Sequence, residues 1–411
     1  MNSGRFTLWI MWLIASFFYA YQYVIRVLPS IMISDIMSKF DIDAALFGQF
    51  SGIYYIGYAL THIPIGILLD RIGAKKTLPI FICLTILGVA PLVWSNFWIY
   101  PVIGRFLVGV GASSAILGVF KITRMAFAEK RFPIMLSWSV TIGLTGAIYG
   151  GGPLNYLKSL WGFENVVYAL MILGCILAIF TYFLIPEQKQ EPVNKCVWLD
   201  IKNVLGHKKV MAVCLLAGCM VGPLEGFADV WGSTFLHTVY GMEETLASSL
   251  PSIIFLGMAC GAPFLSWIAS RLNNYLVVIL ACGLFMGLAF VLLLQTNLPA
   301  TWLSILFFIV GILSSYQILA IYEVSTYVAP RVAGLTNAMA NMIIMTFGYV
   351  FHSLIGETID MFSNRQGYLP LDSSQALIYG IWIIPAGLFL GTLGLALIML
   401  LKTPTPDKKF I

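Results

Sequence analysis

The sequence predicts an all-α membrane protein with twelve transmembrane helices in two six-helix bundles, and three observations lead to this fold class. Of the 411 residues, 60% are hydrophobic and only 10% are charged, too few charges to coat a soluble globule of this size. Apolar runs of about 20 residues recur along the chain, the length that a self-bonded helix needs to cross a bilayer. The basic residues lie mostly in short loops between these runs.

Pro, Gly and charged residues bound the apolar runs and predict where each span begins and ends. The two sets of six spans fall near residues 6–30, 45–69, 77–95, 99–122, 134–156 and 165–185, and near residues 210–238, 248–269, 275–295, 299–323, 333–356 and 375–401. The longest polar stretch separates the sets. We therefore expect an N-terminal bundle over residues 1–185, a cytoplasmic linker over 186–209, a C-terminal bundle over 210–402 and a cytoplasmic tail over 403–411.

The distribution of Lys and Arg predicts the orientation, because short cytoplasmic loops retain positive charge. One side of the predicted membrane collects most of the basic residues, including Arg71 and Lys75, whereas the other has only Lys39, Lys158 and Arg365. We therefore expect both termini in the cytoplasm and the chain in the inner membrane.

Composition argues against several other classes of protein. The net charge of +5 does not indicate a nucleic-acid partner, because the basic residues are dispersed over loops rather than gathered in a patch. The seven cysteines have no spacing typical of metal or redox sites, and we interpret them as small buried hydrophobic residues. We expect no metal, no cofactor and no catalytic residue, and therefore no enzyme. The sequence has no nucleotide-binding loop, so a gradient rather than ATP should supply the energy.

Ionisable residues inside the spans are the most informative feature, because each costs about 2.5 to 3.5 kcal/mol or more at the bilayer centre. The third, sixth, ninth and twelfth spans have no Asp, Glu, Lys or Arg in their interiors. The first has Arg26, the fourth has Arg105, and the seventh has Glu225 and Asp229. This period of three indicates that one helix of each triplet lines a central cavity while another faces lipid.

The first span offers a candidate anion site. Tyr19, Tyr23 and Arg26 are spaced by four and three residues, so two phenols and a guanidinium share one helix face. This face could bind the carboxylate of a solute. In the alternative interpretation, Arg26 extends its charge toward the outer surface near Pro29.

The seventh span offers a candidate proton site. Glu225 and Asp229 are one helical turn apart, among the helix-loosening residues Gly222, Pro223 and Gly226. Two carboxylates this close repel each other, so one should hold a proton unless a cation is present. The pair could therefore couple protons or bind a substrate ammonium. Alternatively, it is a structural pair bonded to an arginine of the other half.

Polar side chains on the tenth and eleventh spans complete the candidate site. Tyr316 and Gln317 are predicted to line the cavity and contact the solute. Asn337, Asn341 and His352 share a face at spacings of four and eleven residues. His352 titrates near neutral pH in principle and could carry a proton, although a single intramembrane histidine also serves as a hydrogen-bonded packing residue.

The segment between the second and third spans carries a recognisable motif. Gly66, Asp70, Arg71, Gly73 and Lys75 follow the pattern G-x-x-x-D-R-x-G-x-K, which resembles the signature loop of the major facilitator superfamily. The glycines would permit a tight turn, and the aspartate and basic residues could latch neighbouring helix ends. The loop after the eighth span, 270–273, lacks the acidic residue and the downstream glycine.

Arg105 with the glycines that follow it resembles the superfamily's fourth-span motif, and its role is either a structural tie or coupling. Arg124 and Glu323 fall near cytoplasmic ends, where we favour gating or structural roles. The resemblance covers nearly the whole chain and implies two pseudo-symmetric bundles that rock about a midplane site. Residues 21–30, 121–133 and 222–232 resemble the phagosomal-transporter group of intracellular bacteria and its proline/betaine-like relatives, which implies amino-acid uptake.

These features predict a secondary active transporter that moves a small polar solute, an amino acid or related metabolite, by alternating access as a proton-coupled symporter. Its partners would be the solute, protons and the bilayer, and we expect a monomer. A proton-driven exporter of drugs or siderophores is the alternative, because the glycines of 143–153 resemble an antiporter motif, although such glycines also serve close packing. An organic-anion symporter is a further alternative. A receptor, an intramembrane enzyme or a channel is less consistent with the charges inside two sets of six spans.

Overall fold

The computed structural model of the protein describes residues 3–128, 131–187, 197–295, 297–363 and 373–400. Within these ranges the chain is nearly all helical and contains no strand. Eleven helical segments of the described chain are long and apolar enough to cross a membrane, and a twelfth is added if one bent pair counts as a single span. The all-α, multi-span fold class is therefore confirmed. Arg365, Cys196 and the predicted tail over 403–411 lie outside the described residues.

The chain divides into two compact units. The first consists of Met1–Asp43 and Phe50–Val193, and the second of Ala44–Gln49 and Asn194–Ile411. The first few residues of the second span are therefore grouped with the second unit, and the rest of that span belongs to the first.

The N-terminal part of the described chain forms helices α1 to α9. Their bounds are α1 Ser3–Ile31, α2 Ile33–Phe40, α3 Ala44–Ile72, α4 Ala74–Val89, α5 Pro91–Trp94, α6 Ile99–Ala126, α7 Phe132–Gly150, α8 Gly152–Trp161 and α9 Phe163–Leu184. Six predicted spans fall on this set: α1, α3, α4 with α5, α6, α7 with α8, and α9.

The C-terminal part forms helices α10 to α20 and one π-helix. Their bounds are α10 Val197–Gly206, α11 Lys208–Gly218, the π-helix Gly222–Trp231, α12 Gly232–Tyr240, α13 Glu244–Ser249, α14 Ser252–Leu272, α15 Tyr275–Gln295, α16 Ala300–Ser314, α17 Tyr316–Ser325, α18 Pro330–Ser363, α19 Ser373–Ile381 and α20 Ile383–Leu400. The short α10 lies within the predicted linker, and the other elements make up the second set of spans.

Several spans that the sequence predicts as single helices are broken. The fifth bends by 42° between α7 and α8 at Gly151, where Pro153 lies in the first turn of α8 and suits a helix start. In the seventh, the π-helix begins at Gly222 with Pro223 in its first turn. The tenth is interrupted at Ser315. Hydropathy cannot reveal these breaks, because apolar side chains continue through them.

Close helix crossings in the first unit depend on glycine. A Cβ atom added to Gly57 on α3 would meet the backbone carbonyl oxygen of Phe106, and one added to Gly109 on α6 would meet that of Tyr54. In each case the blocked carbonyl belongs to the residue three positions before the facing glycine. The second and fourth spans therefore approach each other at backbone distance.

The second unit contains the same arrangement. A Cβ atom on Gly257 of α14 would meet the carbonyl oxygen of Phe308, and one on Gly311 of α16 would meet that of Ile254. The offset of three residues is identical to that in the first unit. The eighth and tenth spans therefore cross as the second and fourth do, which is the internal repeat that two pseudo-symmetric bundles require.

Burial follows the period of three only in part. The fourth and seventh spans are the most buried, at 67% and 72% of their apolar windows, and the sixth and twelfth are little buried, at 39% and 28%. The third and ninth reach 50% and 56%, so absence of charge does not make them equally lipid-facing. The interpretation of all cysteines as buried is wrong, since Cys83, Cys175 and Cys260 are exposed on helix faces, where lipid accommodates a thiol without packing by protein.

Candidate functional site

The arginine of the first span lies among tyrosine rings in the first unit. Tyr19 and Tyr23 are in edge contact, with 5.1 Å between ring centroids and 3.4 Å between their hydroxyl oxygens. The guanidinium carbon of Arg26 lies 5.3 Å from the Tyr23 ring centroid and 5.4 Å from that of Tyr55. Nη2 of Arg26 donates a hydrogen bond of 3.2 Å to the Tyr55 hydroxyl, and Arg26 is only 8% exposed. The three α1 residues that share a predicted face therefore do lie together.

Arg105 supports this cluster from α6. Its Nη1 and Nη2 donate to the backbone carbonyls of Ile25 and Arg26 at 2.9 and 2.6 Å, and its guanidinium lies 4.9 Å from the ring centroid of Tyr54. Both carbonyls belong to the turn of α1 that presents Arg26. Charge-assisted bonds of this kind are among the strong ones in proteins, so Arg105 fixes the segment that positions the first arginine.

The glycines of the fifth span pack against the same face of α1. A Cβ on Gly143 would clash with the Tyr19 ring, one on Gly146 would meet the carbonyl oxygen of Ala20, and one on Gly150 would meet the Val27 side chain. These glycines therefore have a close-packing role that accounts for the pattern resembling an antiporter motif.

A row of aromatic rings lies on α3, at positions that the sequence motifs do not predict. Tyr54, Tyr58 and His62 follow at intervals of four residues, with centroid separations of 6.4 and 5.1 Å. Tyr54 also meets the Tyr55 ring edge-on at 5.1 Å. The four-residue spacing of rings in a span is the signal that could have identified this face.

The motif between the second and third spans forms the α3–α4 turn. Gly73 has φ 86° and ψ 161°, a conformation essentially restricted to glycine. Asp70 forms a 2.9 Å ion pair with Lys121 at the corresponding end of α6, and Arg71 is exposed. The expectation that Gly66 serves the turn is wrong, because it lies inside α3 and an added Cβ would meet nothing within 4 Å.

The corresponding turn of the second unit, between α14 and α15, uses a different residue. Asn273 adopts the left-handed conformation there, with φ 50° and ψ 28°. Asparagine is one of the few residues that tolerate this region. The turn therefore persists although the glycine of the motif is absent.

Two basic residues near the α3–α4 turn lie over aromatic rings. Nζ of Lys75 is 5.7 Å from the ring centroid of Tyr182, and the Arg124 guanidinium carbon is 5.3 Å from that of Phe132. These contacts join the ends of neighbouring helices within the first unit. They are consistent with the structural role that the sequence favours for both residues.

Glu323 lies near the end of α17 in the second unit. Its Oε1 accepts a 2.6 Å hydrogen bond from the Tyr327 hydroxyl, and Nζ of Lys209 lies 4.0 Å from the Tyr327 ring centroid. Burial and the hydrogen bond to Glu323 raise the pKa of the Tyr327 phenol above its usual value. Tyr327 therefore remains a neutral donor to Glu323 at physiological pH.

The acidic pair of the second unit lies in the π-helix. Glu225 is fully buried and Asp229 is 1% exposed. All ten residues of the π-helix are buried, and Gly222 and Gly226 pack against the Phe351 side chain of α18. The wider turn of a π-helix is uncommon and occurs frequently at functional sites. Two carboxylates one turn apart are thus enclosed by protein.

Tyr316 and Gln317 lie at the break in the tenth span. Tyr316 is fully buried and donates a 2.7 Å hydrogen bond to the backbone carbonyl of Ala217. Gln317 is 4% exposed, and its Nε2 has no hydrogen-bond partner among the described residues. The two side chains therefore differ: the Tyr316 hydroxyl already joins α17 to α11, whereas the Gln317 amide has an unused donor.

The three polar residues of the eleventh span do not form one cluster. Asn337 and Asn341 are half-buried, and His352 is 1% exposed. An α-helix rises 1.5 Å per residue, so His352 lies roughly 16 Å along α18 from Asn341. The backbone carbonyl of His352 lies against Gly48, the fifth residue of α3. The shared face that the spacing predicts extends over most of a membrane thickness rather than forming one site.

Comparison with known proteins yields a family match and distant relatives. The sequence model of the Major Facilitator Superfamily matches residues 11–352. The probable galactarate/D-glucarate transporter GudP of Escherichia coli is 22% identical, with 92% of each chain covered. A quinolone resistance transporter of Acinetobacter baumannii is 22% identical over 60% of this chain and 64% of that protein.

Solved structures share the fold at low identity. A bacterial homologue of the human lysosomal transporter Spinster, inward-facing and unoccupied, superposes with a TM-score of 0.73 at 16% identity, covering 98% of this chain and 100% of that one. The nucleoside transporter NupG gives 0.70 at 18% identity, covering 98% and 100%. A D-xylose–proton symporter gives 0.66 at 16% identity, covering 94% and 99%.

Proposed function

The chain belongs to the major facilitator superfamily and is a multi-pass membrane transporter rather than an enzyme, and on this premise we propose that it carries a small organic anion together with protons. The observation that supports this most directly is the buried guanidinium of Arg26, bonded to Tyr55 and flanked by two tyrosine rings. The subgroup suggested by residues 21–30, 121–133 and 222–232 remains a prediction.

Arg26 provides the anion site. A guanidinium presents several N–H donors in a fixed fork that matches a carboxylate. Arg105 holds the backbone carbonyls of Ile25 and Arg26, so the fork is positioned before a solute arrives. Pre-positioning of this kind reduces the ordering cost of binding. The spans of the first unit have acidic residues only near their ends, at Asp70 and Glu164, which leaves cationic charge dominant in their interiors.

Glu225 and Asp229 provide the coupling site. Both are enclosed in the π-helix, where two negative charges a turn apart are unfavourable. Uptake of one proton relieves this repulsion, and its release restores it. The pair can therefore bind and release one proton in each transport cycle. His352, the third predicted proton carrier, is equally buried but lies on α18.

We identify the solute class by the carboxylate that Arg26 would bind, rather than by an ammonium group. GudP, which is named for sugar diacids, matches along most of both chains, and such acids would use the Arg26 fork. Amino acids remain the second candidate, because the acidic pair could hold an ammonium group. Export of drugs is less favoured, since Gly143 and Gly146 are accounted for by packing against α1.

We further propose the inner membrane as the location, with both termini in the cytoplasm, and a monomer as the working form. The Lys and Arg asymmetry supports the orientation. To test the orientation, a cysteine is introduced at position 75 or at position 158, and a membrane-impermeant thiol reagent is added from each side of the membrane. Labelling of both from the same side would contradict it.

Purified protein in liposomes tests the transport proposal. With the outside acidic, galactarate and proline are supplied in separate experiments, and both solute accumulation and internal pH are recorded. We expect galactarate to accumulate with internal acidification, and Arg26→Gln to abolish it. Arg271→Gln is the matched control, because Arg271 stacks on Trp267 at the end of α14. Accumulation of proline alone would favour the amino-acid alternative, and unaltered galactarate transport by Arg26→Gln would refute the anion site.

A further inference from the structure

The ring row of α3, formed by Tyr54, Tyr58 and His62, leads away from the arginine cluster of the first unit. The ring centroid of its first member, Tyr54, lies 4.9 Å from the guanidinium carbon of Arg105. Successive rings are 6.4 and 5.1 Å apart. The row therefore begins at the proposed anion site and runs along α3 toward the α3–α4 turn.

His62 ends this row as a buried polar side chain with one ring nitrogen, Nδ1, that its described neighbours leave unbonded. It is 5% exposed, and its Nδ1 is buried without a hydrogen-bond partner among the described residues. The adjacent Thr61 hydroxyl is bonded to the Gly57 carbonyl and to Ser113. A buried polar nitrogen without a partner is unfavourable, so the site favours a ligand that supplies one.

The chemistry of the row indicates what that ligand is. A neutral imidazole has one donor and one acceptor nitrogen, and a hydroxyl group can satisfy either. Tyrosine rings present apolar faces with a polar edge, which suits a carbon chain bearing hydroxyl groups. Tyr55, which bonds Arg26, precedes His62 by seven residues, or about 10 Å along the helix. A ligand that contacts both Arg26 and His62 must therefore extend along about two turns of α3, which favours a chain of about six carbons over one of three.

We propose that the ring row extends the anion site and selects a polyhydroxylated carboxylic acid of about six carbons, with its carboxylate at Arg26 and a chain hydroxyl at His62. This inference rests on the proposed anion-binding role of Arg26. The inference adds His62 as a second residue that binds the solute. It also explains why the transporter would select solutes by their chain length and their hydroxyl groups. Tyr58 lies between the two anchors and packs against the middle of the chain.

Binding by the purified full-length protein tests the inference with three probes. Galactarate and adipate share a six-carbon diacid skeleton and differ only in hydroxyl groups, and glycerate is a short hydroxylated acid. Each is titrated calorimetrically against the wild type, His62→Phe, Arg26→Gln and the control His237→Phe, whose histidine is exposed and bonded to the Met242 carbonyl. Phenylalanine retains a ring to pack on Tyr58 while removing both nitrogens.

We expect the wild type to bind galactarate more tightly than adipate, and His62→Phe to weaken galactarate about tenfold, as loss of one buried hydrogen bond does. Adipate and glycerate should be unaffected by His62→Phe, and Arg26→Gln should lose all three probes. An unchanged galactarate preference in His62→Phe, with binding lost in Arg26→Gln, would overturn the extension alone. Unchanged binding in Arg26→Gln would overturn the anion site itself. If His62→Phe fails to fold, His62→Gln is measured, and it should retain part of the preference because it keeps a donor and an acceptor.

Discussion

The hydroxyl oxygen of Tyr55 on α3 accepts a 3.2 Å hydrogen bond from Nη2 of Arg26 on α1. This bond joins two spans of the first unit at the only charge inside the first span. It directs one edge of the guanidinium toward α3. A guanidinium carries five N–H donors in one plane, the geometry that matches a carboxylate.

Tyr55→Phe removes this hydroxyl and keeps the ring. We expect galactarate affinity to fall about threefold to tenfold, because one hydrogen bond to a charged group is lost while the cation–π contact remains. Calorimetric titration measures the change. Tyr149→Phe, which alters an exposed tyrosine of α7, is the control. Equal affinities for both variants would show that the Tyr55 hydroxyl does not position the arginine.

Glu225→Gln and Asp229→Asn each remove the charge repulsion within the π-helix. We expect both variants to lose proton-driven accumulation, because a neutral amide cannot bind and release a proton, while solute exchange survives. Accumulation against a pH gradient and counterflow without one are measured in the same liposomes. Glu243→Gln serves as control, since Glu243 is exposed in the loop before α13. If both single variants still accumulate solute, the coupling role of the pair is wrong.

Gly109→Ala and Gly66→Ala should change stability in opposite directions. The Cβ on residue 109 would meet the Tyr54 carbonyl, so we expect a loss of about 1 to 3 kcal/mol from overpacking. The Cβ on residue 66 meets nothing, and alanine should stabilise α3 by roughly 0.5 to 1 kcal/mol. Thermal unfolding in detergent compares them. Similar shifts for the two variants would contradict the backbone-distance crossing of α3 and α6.

Tyr316→Phe separates a structural role from solute contact. Because the Tyr316 hydroxyl donates to the Ala217 carbonyl, we expect a stability loss of about 0.5 to 1.5 kcal/mol and an unchanged galactarate affinity. Unfolding and titration are measured on the same preparation. The control, Tyr322→Phe, lies on α17 and is half exposed. Reduced affinity at unchanged stability would instead support the predicted solute contact.

Much of the fold could be predicted from the sequence because hydropathy is a local property. The apolar runs place the spans, and Asp70 with Gly73 identifies the turn between the second and third. The spacing of Tyr19, Tyr23 and Arg26 correctly places them together, since four- and three-residue intervals share a helix face. The same rule does not predict a contact between Asn341 and His352. The two residues share a helix face, but eleven residues of helical rise separate them by roughly 16 Å along the axis.

The sequence by itself determined the membrane class, the spans and the superfamily, since each depends on run length, composition or a contiguous motif. Only the tertiary structure decided which side chains meet. Tyr55 and Arg105 contact the Arg26 segment from other helices. His62 is a candidate binding residue only because the fold buries it beside Tyr58. The physical reason is that contacts between spans depend on helix rotation and glycine-permitted approach, which residues distant along the chain fix together.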